Sequence, residues 1–307
     1  MTMLRIACAQ YPIHAFADPA QWAGKVSAWV EEAAQAGARL LLFPEYGAME
    51  LASLLSPNLQ NDLGGQIAAL QELLPAFLAR YAGLAQRHGV SIVAPSIPVL
   101  QPGGYVNRAH VFAPDGGMAW QDKRQMTRFE REEWIIQGGA ELRLFDTGLG
   151  CRFGLAICYD VEFPLIARAL AEAGADLVLA PSCTDTLAGM HRVHVGARAR
   201  ALESQIYVAV AQTVGEAQWS PAVDVNHGFA AIYATPDRGF PDDGILAQGA
   251  LNQPGWVYAD LNCALLSQAR SNAQVFTRRD WAGQHLPSLD VGLADFAPPP
   301  KTLRDGC

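Results

Sequence analysis

No two of the six cysteines stand two residues apart, so neither a zinc ribbon nor a CxxC redox motif finds support. The chain also lacks an uncharged apolar run of roughly 18 residues, which a membrane span needs. Residues 1–10 read as a short strand around Leu4-Arg5-Ile6-Ala7-Cys8-Ala9. That is too short for the apolar core of a secretion signal and has no charged lead-in. The expectation is a soluble cytoplasmic protein, where a disulfide framework is not expected. Charge is sparse, at 17% of residues, and leans acidic, with a formal net charge of -8. An acidic surface repels phosphates and anionic lipid heads, so neither nucleic acid nor a membrane is an expected partner. No block of like charges, short repeat, low-complexity segment or Ser/Gly/Pro-rich linker divides the chain.

What is present is apolar sequence in short alternating runs. Half of the 307 residues are hydrophobic, enough for a sizeable core. Residues 39–43 read as a short buried strand, and residues 21–38 before it as an amphipathic helix with Trp22, Val26, Trp29, Val30 and Ala33 at helical spacing. Residues 66–88 are a longer helical region in which Pro75 is expected to break or kink the helix. Residues 105–113 and 118–121 flank Pro114-Asp115-Gly116-Gly117, which reads as a hairpin turn. Further strands are expected over 90–95, 152–158, 176–180, 205–212 and 256–261. Helices are expected over 163–173 and 191–204, and a second hairpin over 230–234 and 244–248. The alternation indicates an α/β fold. It is read as a single domain over residues 1–307 with a C-terminal tail from about 265, Pro-rich at 297–300.

Three strand exits carry reactive groups: Glu45 after Phe43-Pro44, Lys123 after the hairpin's second arm, and Cys158 at the end of an apolar strand. α/β folds place functional groups at such ends. Each has a plain alternative: a surface carboxylate, a solvated ammonium, a packed thiol. As a set they are chemically coherent. A thiol with a free pKa of about 8.5 needs help to attack as thiolate. A carboxylate can take its proton, and an ammonium can meet the oxyanion of a tetrahedral intermediate. The backbone N–H of Tyr159 could be a second oxyanion donor.

The segments Leu41-Leu42-Phe43-Pro44-Glu45, Lys123 and Gly154-Leu155-Ala156-Ile157-Cys158-Tyr159-Asp160 resemble, in order and separation, the three signature segments of the nitrilase, or carbon–nitrogen hydrolase, superfamily. The resemblance continues through Phe163-Pro164 with Arg168, Gly174 to Pro181, and Arg198-Ala199-Arg200-Ala201-Leu202-Glu203, and covers roughly residues 4–262. It implies a four-layer α-β-β-α sandwich assembled as a homodimer or higher homo-oligomer. It also implies that Glu45 is the general base, Lys123 the oxyanion stabiliser and Cys158 the nucleophile of a thioester mechanism, with no cofactor. Many members carry a second glutamate after the lysine. Counting back from Gly138-Gly139 favours Glu132, with Glu130 and Glu133 as alternatives.

Two departures stand out: Glu203-Ser204 where the family often has Glu-Asn, and His227-Gly228-Phe229-Ala230 where it often has Gly-x-Ser before an apolar strand. Tyr159-Asp160 in place of the Trp-Glu usual in nitrilases resembles the amidase branches, so the expected substrate is a small-molecule amide. A nitrile or an N-carbamoyl compound on the same triad remains an alternative. So do an acyltransferase, which would need an acceptor site the sequence does not show, and a non-catalytic ligand- or partner-binding sandwich. By the same likeness the loop after Pro181 lines the pocket, which makes Thr184, Asp185 and His191 candidates for substrate contact, with Tyr159 beside the nucleophile. The segment 126–134 is expected to shape the pocket. Asp160 and Arg168 read as structural ion-pair partners. His191 and His194 are spaced i,i+3 but have no third ligand motif, so they read as solvated or packed and no metal is expected.

Overall fold

The computed structural model describes residues 3–284 apart from 147 and 149. In chain order its strands are β1 (Leu4–Pro12), β2 (Leu40–Leu42), β3 (Ser91–Val93), β4 (Ile97–Gln101), β5 (Gly104–Phe112), β6 (Met118–Asp122), β7 (Ile136–Gln137) and β8 (Leu144–Asp146), then β9 (Arg152–Leu155), β10 (Leu177–Ser182), β11 (Tyr207–Glu216), β12 (Val225–Asn226), β13 (Ala231–Tyr233), β14 (Ile245–Gln248) and β15 (Gly255–Leu261). The helices are α1 (Pro19–Gln35), α2 (Pro57–Gln60), α3 (Leu63–His88), α4 (Arg128–Glu132), α5 (Pro164–Glu172), α6 (Leu187–Ser204), α7 (Cys263–Asn272) and α8 (Thr277–Asp280).

The main sheet path runs β4-β5-β3-β2-β1-β11-β10-β9-β8. β1 is its junction. One edge pairs in parallel with β2. The other pairs with β15 over residues 4–10 and with β11 only from Gln10 to Pro12. The sheet therefore parts into two halves that stay joined at the carboxyl end of β1. Alternation along β1 sorts its side chains between two cores. Ala7, Ala9 and Tyr11 pack with α1 and α3, whereas Leu4, Ile6 and Cys8 join the core that holds β9, β10, β11, α5 and α6. β10, with Leu177, Val178, Leu179 and Ala180 all buried, is covered on both faces, as an unbroken apolar parallel strand must be. The layers run helix, sheet, sheet, helix, the expected α-β-β-α sandwich.

Local chemistry sets the element ends. Asp18 caps α1 through the N–H groups of Ala20 and Gln21, with Pro19 in the first turn. Gly89, at φ 62°, ends α3. Both expected hairpins form, β5 with β6 and β13 with β14.

Two expectations are corrected. Pro75 does not break α3, which continues through it, because Leu70 before it and Phe77, Tyr81 and Leu84 after it are all buried and hold both arms to the core. The chain past 265 is no tail at its start. Leu266 and Ala269 of α7 are buried, Arg270 pairs with Asp176 at 2.9 Å, and Arg278 of α8 reaches the carbonyl of Ser204 at 3.3 Å. The Pro-rich segment 297–300 lies outside the described residues. Among the described residues no helix is long and apolar enough to cross a membrane.

Candidate active site

Four strand exits converge at the junction of the two sheet halves. β2 leads to Glu45, β6 to Lys123, β9 to Cys158 and β10 to Cys183. Thr213 of β11 donates its hydroxyl to the Glu45 carbonyl at 2.8 Å and ties the glutamate loop to the other half of the sheet. The three reactive groups predicted from the sequence thus lie together, on one cavity of about 530 Å³ that Tyr46, Phe129, Glu130, Trp134, Cys183, Asp185 and Asn226 also line.

Lys123 is almost wholly buried and its Nζ donates to two carboxylates, Glu45 Oε1 at 2.8 Å and Glu130 Oε2 at 2.6 Å. Asn107 Nδ2 donates to Glu45 Oε1 at 2.8 Å, and the Cys183 N–H donates to Glu45 Oε2 at 3.0 Å. The Tyr46 hydroxyl donates to Glu130 Oε1 at 2.7 Å. The Cys158 thiol donates to the Cys183 carbonyl at 3.5 Å. Each carboxylate is thus fixed by several donors, and the ammonium is fixed between them.

Burial and charge set the protonation states. Burial pushes Glu45 up to about 7; Lys123 opposes the rise and Glu130 adds to it. Burial works against the Lys123 ammonium, but Glu130 and Glu45 more than offset this and hold it well above the ordinary lysine range. Glu130 lies below the usual carboxylate range, because Lys123 and its donors outweigh its burial. Burial and the Glu45 charge raise the Cys158 thiol far above an ordinary cysteine, so it rests protonated beside Glu45.

Backbone strain marks the same loops. Cys158 (φ 49°) and Tyr46 (φ 52°) are non-glycine residues in the left-handed region, a conformation that costs about 1–3 kcal/mol and persists only where its surroundings enforce it. At Cys158 the enforcing contacts are visible. Asp160 accepts the Ile157 N–H at 3.1 Å on one side, and on the other the N–H groups of Arg124 at 3.1 Å and Gln125 at 2.7 Å, next to Lys123. Arg200 Nη1 donates to the carbonyls of Val161 and Glu162, both at 3.2 Å.

Several expectations change at this resolution of detail. Glu132, favoured as the second glutamate, is exposed and pairs with Arg128 at 2.8 Å; Glu130 is the one buried on Lys123. The difference was visible in the sequence as Thr127-x-x-Glu130. This is a capping box at the start of α4, which turns the glutamate back into the fold. Glu133 is exposed on the cavity rim. Of the substrate-contact candidates, Asp185 lines the cavity. Thr184 is buried and donates to the His227 carbonyl at 2.7 Å, and the Tyr159 ring packs edge-on against Phe163. Neither is on the cavity wall, because each side chain is taken up by packing beside it.

Asp160 and Arg168 do not pair. Asp160 collects backbone N–H groups, and Arg168 bonds Glu172 at 2.8 Å. His194 is buried, bonded to the Tyr233 hydroxyl at 2.7 Å and Gln212 Oε1 at 3.0 Å, and stacked on Phe229. Asn107, Tyr46 and Cys183 had no sequence signal, since only the fold carries them to Glu45 and Glu130.

Residues 5–270 match the carbon-nitrogen hydrolase family. The chain belongs to that family. It is 31% identical over 280 residues to a probable hydrolase of Bacillus subtilis, covering 90% of this chain and 53% of the Bacillus protein; the chain thus spans about half the length of that relative. It is 28% identical over 211 residues to an omega-amidase of Xenopus laevis, covering 66% of this chain and 69% of the frog protein. Its fold matches the crystal structure of an amidase from Nesterenkonia sp. with a TM-score of 0.64 at 25% identity, over 91% of this chain and 97% of that one. A variant of that amidase is described with acrylamide added at its active site cysteine. Within the carbon–nitrogen hydrolase family, then, the ordered Glu45, Lys123 and Cys158 segments fall on one cavity in this chain.

Proposed function

We propose that the chain hydrolyses the carbon–nitrogen bond of a small-molecule amide through a thioester on Cys158. The observation that carries this reading is the Lys123 ammonium, 2.8 Å from Glu45 and 2.6 Å from Glu130, in the cavity that also exposes the Cys158 thiol. As Sγ attacks the amide carbonyl carbon, the Glu45 carboxylate takes the thiol proton. The carbonyl oxygen becomes an oxyanion beside Lys123, with the Tyr159 N–H as its expected second donor. Collapse breaks the carbon–nitrogen bond, and the proton on Glu45 passes to the departing ammonia or amine. Water then enters, Glu45 takes one of its protons, and the hydroxyl attacks the thioester. Breakdown releases the carboxylic acid and returns the proton to sulfur. Glu130 keeps Lys123 charged and in place throughout.

The amide reading draws on Tyr159-Asp160 and on the amidase names of the relatives. Assembly as a homodimer or higher homo-oligomer, expected from the family resemblance, is carried as part of the same proposal, and sedimentation velocity reads it.

The test is a panel of small amides, nitriles and N-carbamoyl amino acids, with ammonia release and intact mass both followed. Turnover of amides with an acyl adduct on Cys158, lost in Cys158→Ala, is the expected result. Turnover confined to nitriles or carbamoyl compounds would replace the substrate class and keep the triad. No turnover of any class, with Cys158 inert to iodoacetamide while other thiols label, would leave a non-catalytic sandwich.

A further inference from the structure

Away from the cavity, a second pair of thiols meets where the C-terminal helices join the body. Cys151 precedes β9 and is buried; Cys263 opens α7 and is half-buried. Their Sγ atoms and a carboxylate oxygen of Asp176 all lie within 4.8 Å of one another. Two sulfurs and a carboxylate could suggest a cation site, but the carboxylate is already engaged. Asp176 Oδ1 accepts from Arg270 at 2.9 Å and Oδ2 from the Arg152 N–H at 3.3 Å. A guanidinium beside the third ligand opposes a metal ion and favours sulfur anions. That leaves the two thiols to react with each other.

We propose that Cys151 and Cys263 form an intramolecular disulfide under oxidation, with Cys263 as the sulfur oxidised first and Cys151 as the resolving sulfur. Three features assign the order. Cys263 is the more accessible of the two. It lies in the first turn of a ten-residue helix, whose dipole favours negative charge. The hydrogen bond from Cys151 also lowers the Cys263 thiol below its ordinary range, against its burial and the Asp176 charge. Cys158, by contrast, is held as a thiol by burial and Glu45, so it is the poorer target for an electrophilic oxidant.

With hydrogen peroxide as oxidant the chemistry balances. The Cys263 thiolate attacks one peroxide oxygen, the O–O bond breaks, and the departing hydroxide takes a proton to become water. Cys263 is then a sulfenic acid. The Cys151 sulfur attacks it, the S–O bond breaks, and a second water leaves with the Cys151 proton. Two thiols and one peroxide give one disulfide and two waters. The bond joins the residue before β9, seven residues ahead of Cys158 in the chain, to α7.

The test treats the full chain with a small excess of hydrogen peroxide in EDTA, alkylates it, and maps its peptides by mass. The expected product has lost two hydrogens, yields one linked peptide holding Cys151 and Cys263, reverts with dithiothreitol, and still carries an alkylated Cys158. In Cys263→Ser the linked peptide is absent. In Cys151→Ser a sulfenic acid persists at Cys263 and is captured by dimedone. Oxidation of Cys158 first would overturn the proposal. So would sulfinic acid at Cys263 without a cross-link, or Cys151 joined to a different cysteine. Retention of added Zn²⁺ through gel filtration, with protection of the pair from peroxide, would overturn it in favour of a metal site. Peptide mapping of the unaltered chain decides the question even where a variant folds poorly, and none of its readouts depends on amide turnover.

Discussion

Lys123 Nζ lies 2.6 Å from Glu130 Oε2, while Glu132, two residues further on, is 52% exposed and bound to Arg128. The two glutamates of one short helix therefore do different work. Glu130 neutralises and aims the ammonium. Glu130→Gln keeps the shape but removes the charge, so Lys123 loses a charge-assisted bond worth about 1.5–3 kcal/mol. The expected result is a fall in kcat/KM for a small amide of about tenfold or more, with a much smaller change in Glu132→Gln. Steady-state kinetics of the two variants side by side decide between them, and equal losses would undo the assignment of Glu130.

Glu45 gives the reaction its expected pH dependence. Its pKa is pushed up to about 7, by burial first and by the Glu130 charge against the opposing Lys123. Only its ionised form can accept the thiol proton, so kcat/KM should rise with pH through about 7 and level off above it. Glu130, held below the usual carboxylate range, adds no limb near neutrality. In Glu130→Gln the like charge on Glu45 is gone and Lys123 turns wholly to Glu45, and both changes lower the Glu45 pKa. The acid limb of the variant should therefore move to lower pH even as its plateau falls. A limb that stays in place would show that another group titrates.

Much of this site is written in local sequence. Glu45, Lys123 and Cys158 each follow a strand, and strand ends are what apolar runs and turn residues mark most clearly. The two hairpins and the helix stops were legible for the same reason. What was not legible depends on contacts between distant segments. Asn107 lies in the middle of β5 and reads as any buried polar residue until Glu45 is brought to it, 62 residues away in sequence. Pro75 reads as a break because local rules omit the sheet that clamps both arms of α3. Spacing from Gly138-Gly139 points to Glu132, whereas the Thr127-x-x-Glu130 capping box at the start of α4 points to Glu130.

Asp160 carries no expected chemical role, yet it joins the lysine loop to the nucleophile turn through N–H groups of Arg124, Gln125 and Ile157. Asp160→Asn puts an amide donor where only acceptors fit. Losing one buried charged acceptor of this kind costs about 2 kcal/mol in stability. Because the left-handed Cys158 turn is fixed by the same carboxylate, kcat should fall more than KM rises. Thermal unfolding together with the kcat and KM split tests this. A variant that loses stability but keeps its kcat would reduce Asp160 to a structural brace.

His194 ties acid stability to the second sheet half. Burial lowers its pKa from 6.5 to about 4, and both ring nitrogens are engaged, with Tyr233 and Gln212. A histidine whose folded pKa is depressed contributes stability above its unfolded value of 6.5. That contribution is lost as pH falls towards about 4, because the unfolded chain binds the proton more readily. Glu45 and Glu50, both raised to about 7, act in the opposite sense over the same range, so the pH curve of the unaltered chain mixes the two. His194→Gln isolates the histidine, since glutamine does not titrate and can still bond Tyr233. The variant should be less stable at pH 8, where it loses the Phe229 stack. At pH 5 the gap to the unaltered chain should shrink by about 2 kcal/mol, that is about 1.5 pH units below the unfolded pKa at roughly 1.4 kcal/mol each. Urea unfolding of both proteins at the two pH values measures it, and a gap that does not change with pH would mean that His194 binds its proton equally well in both states.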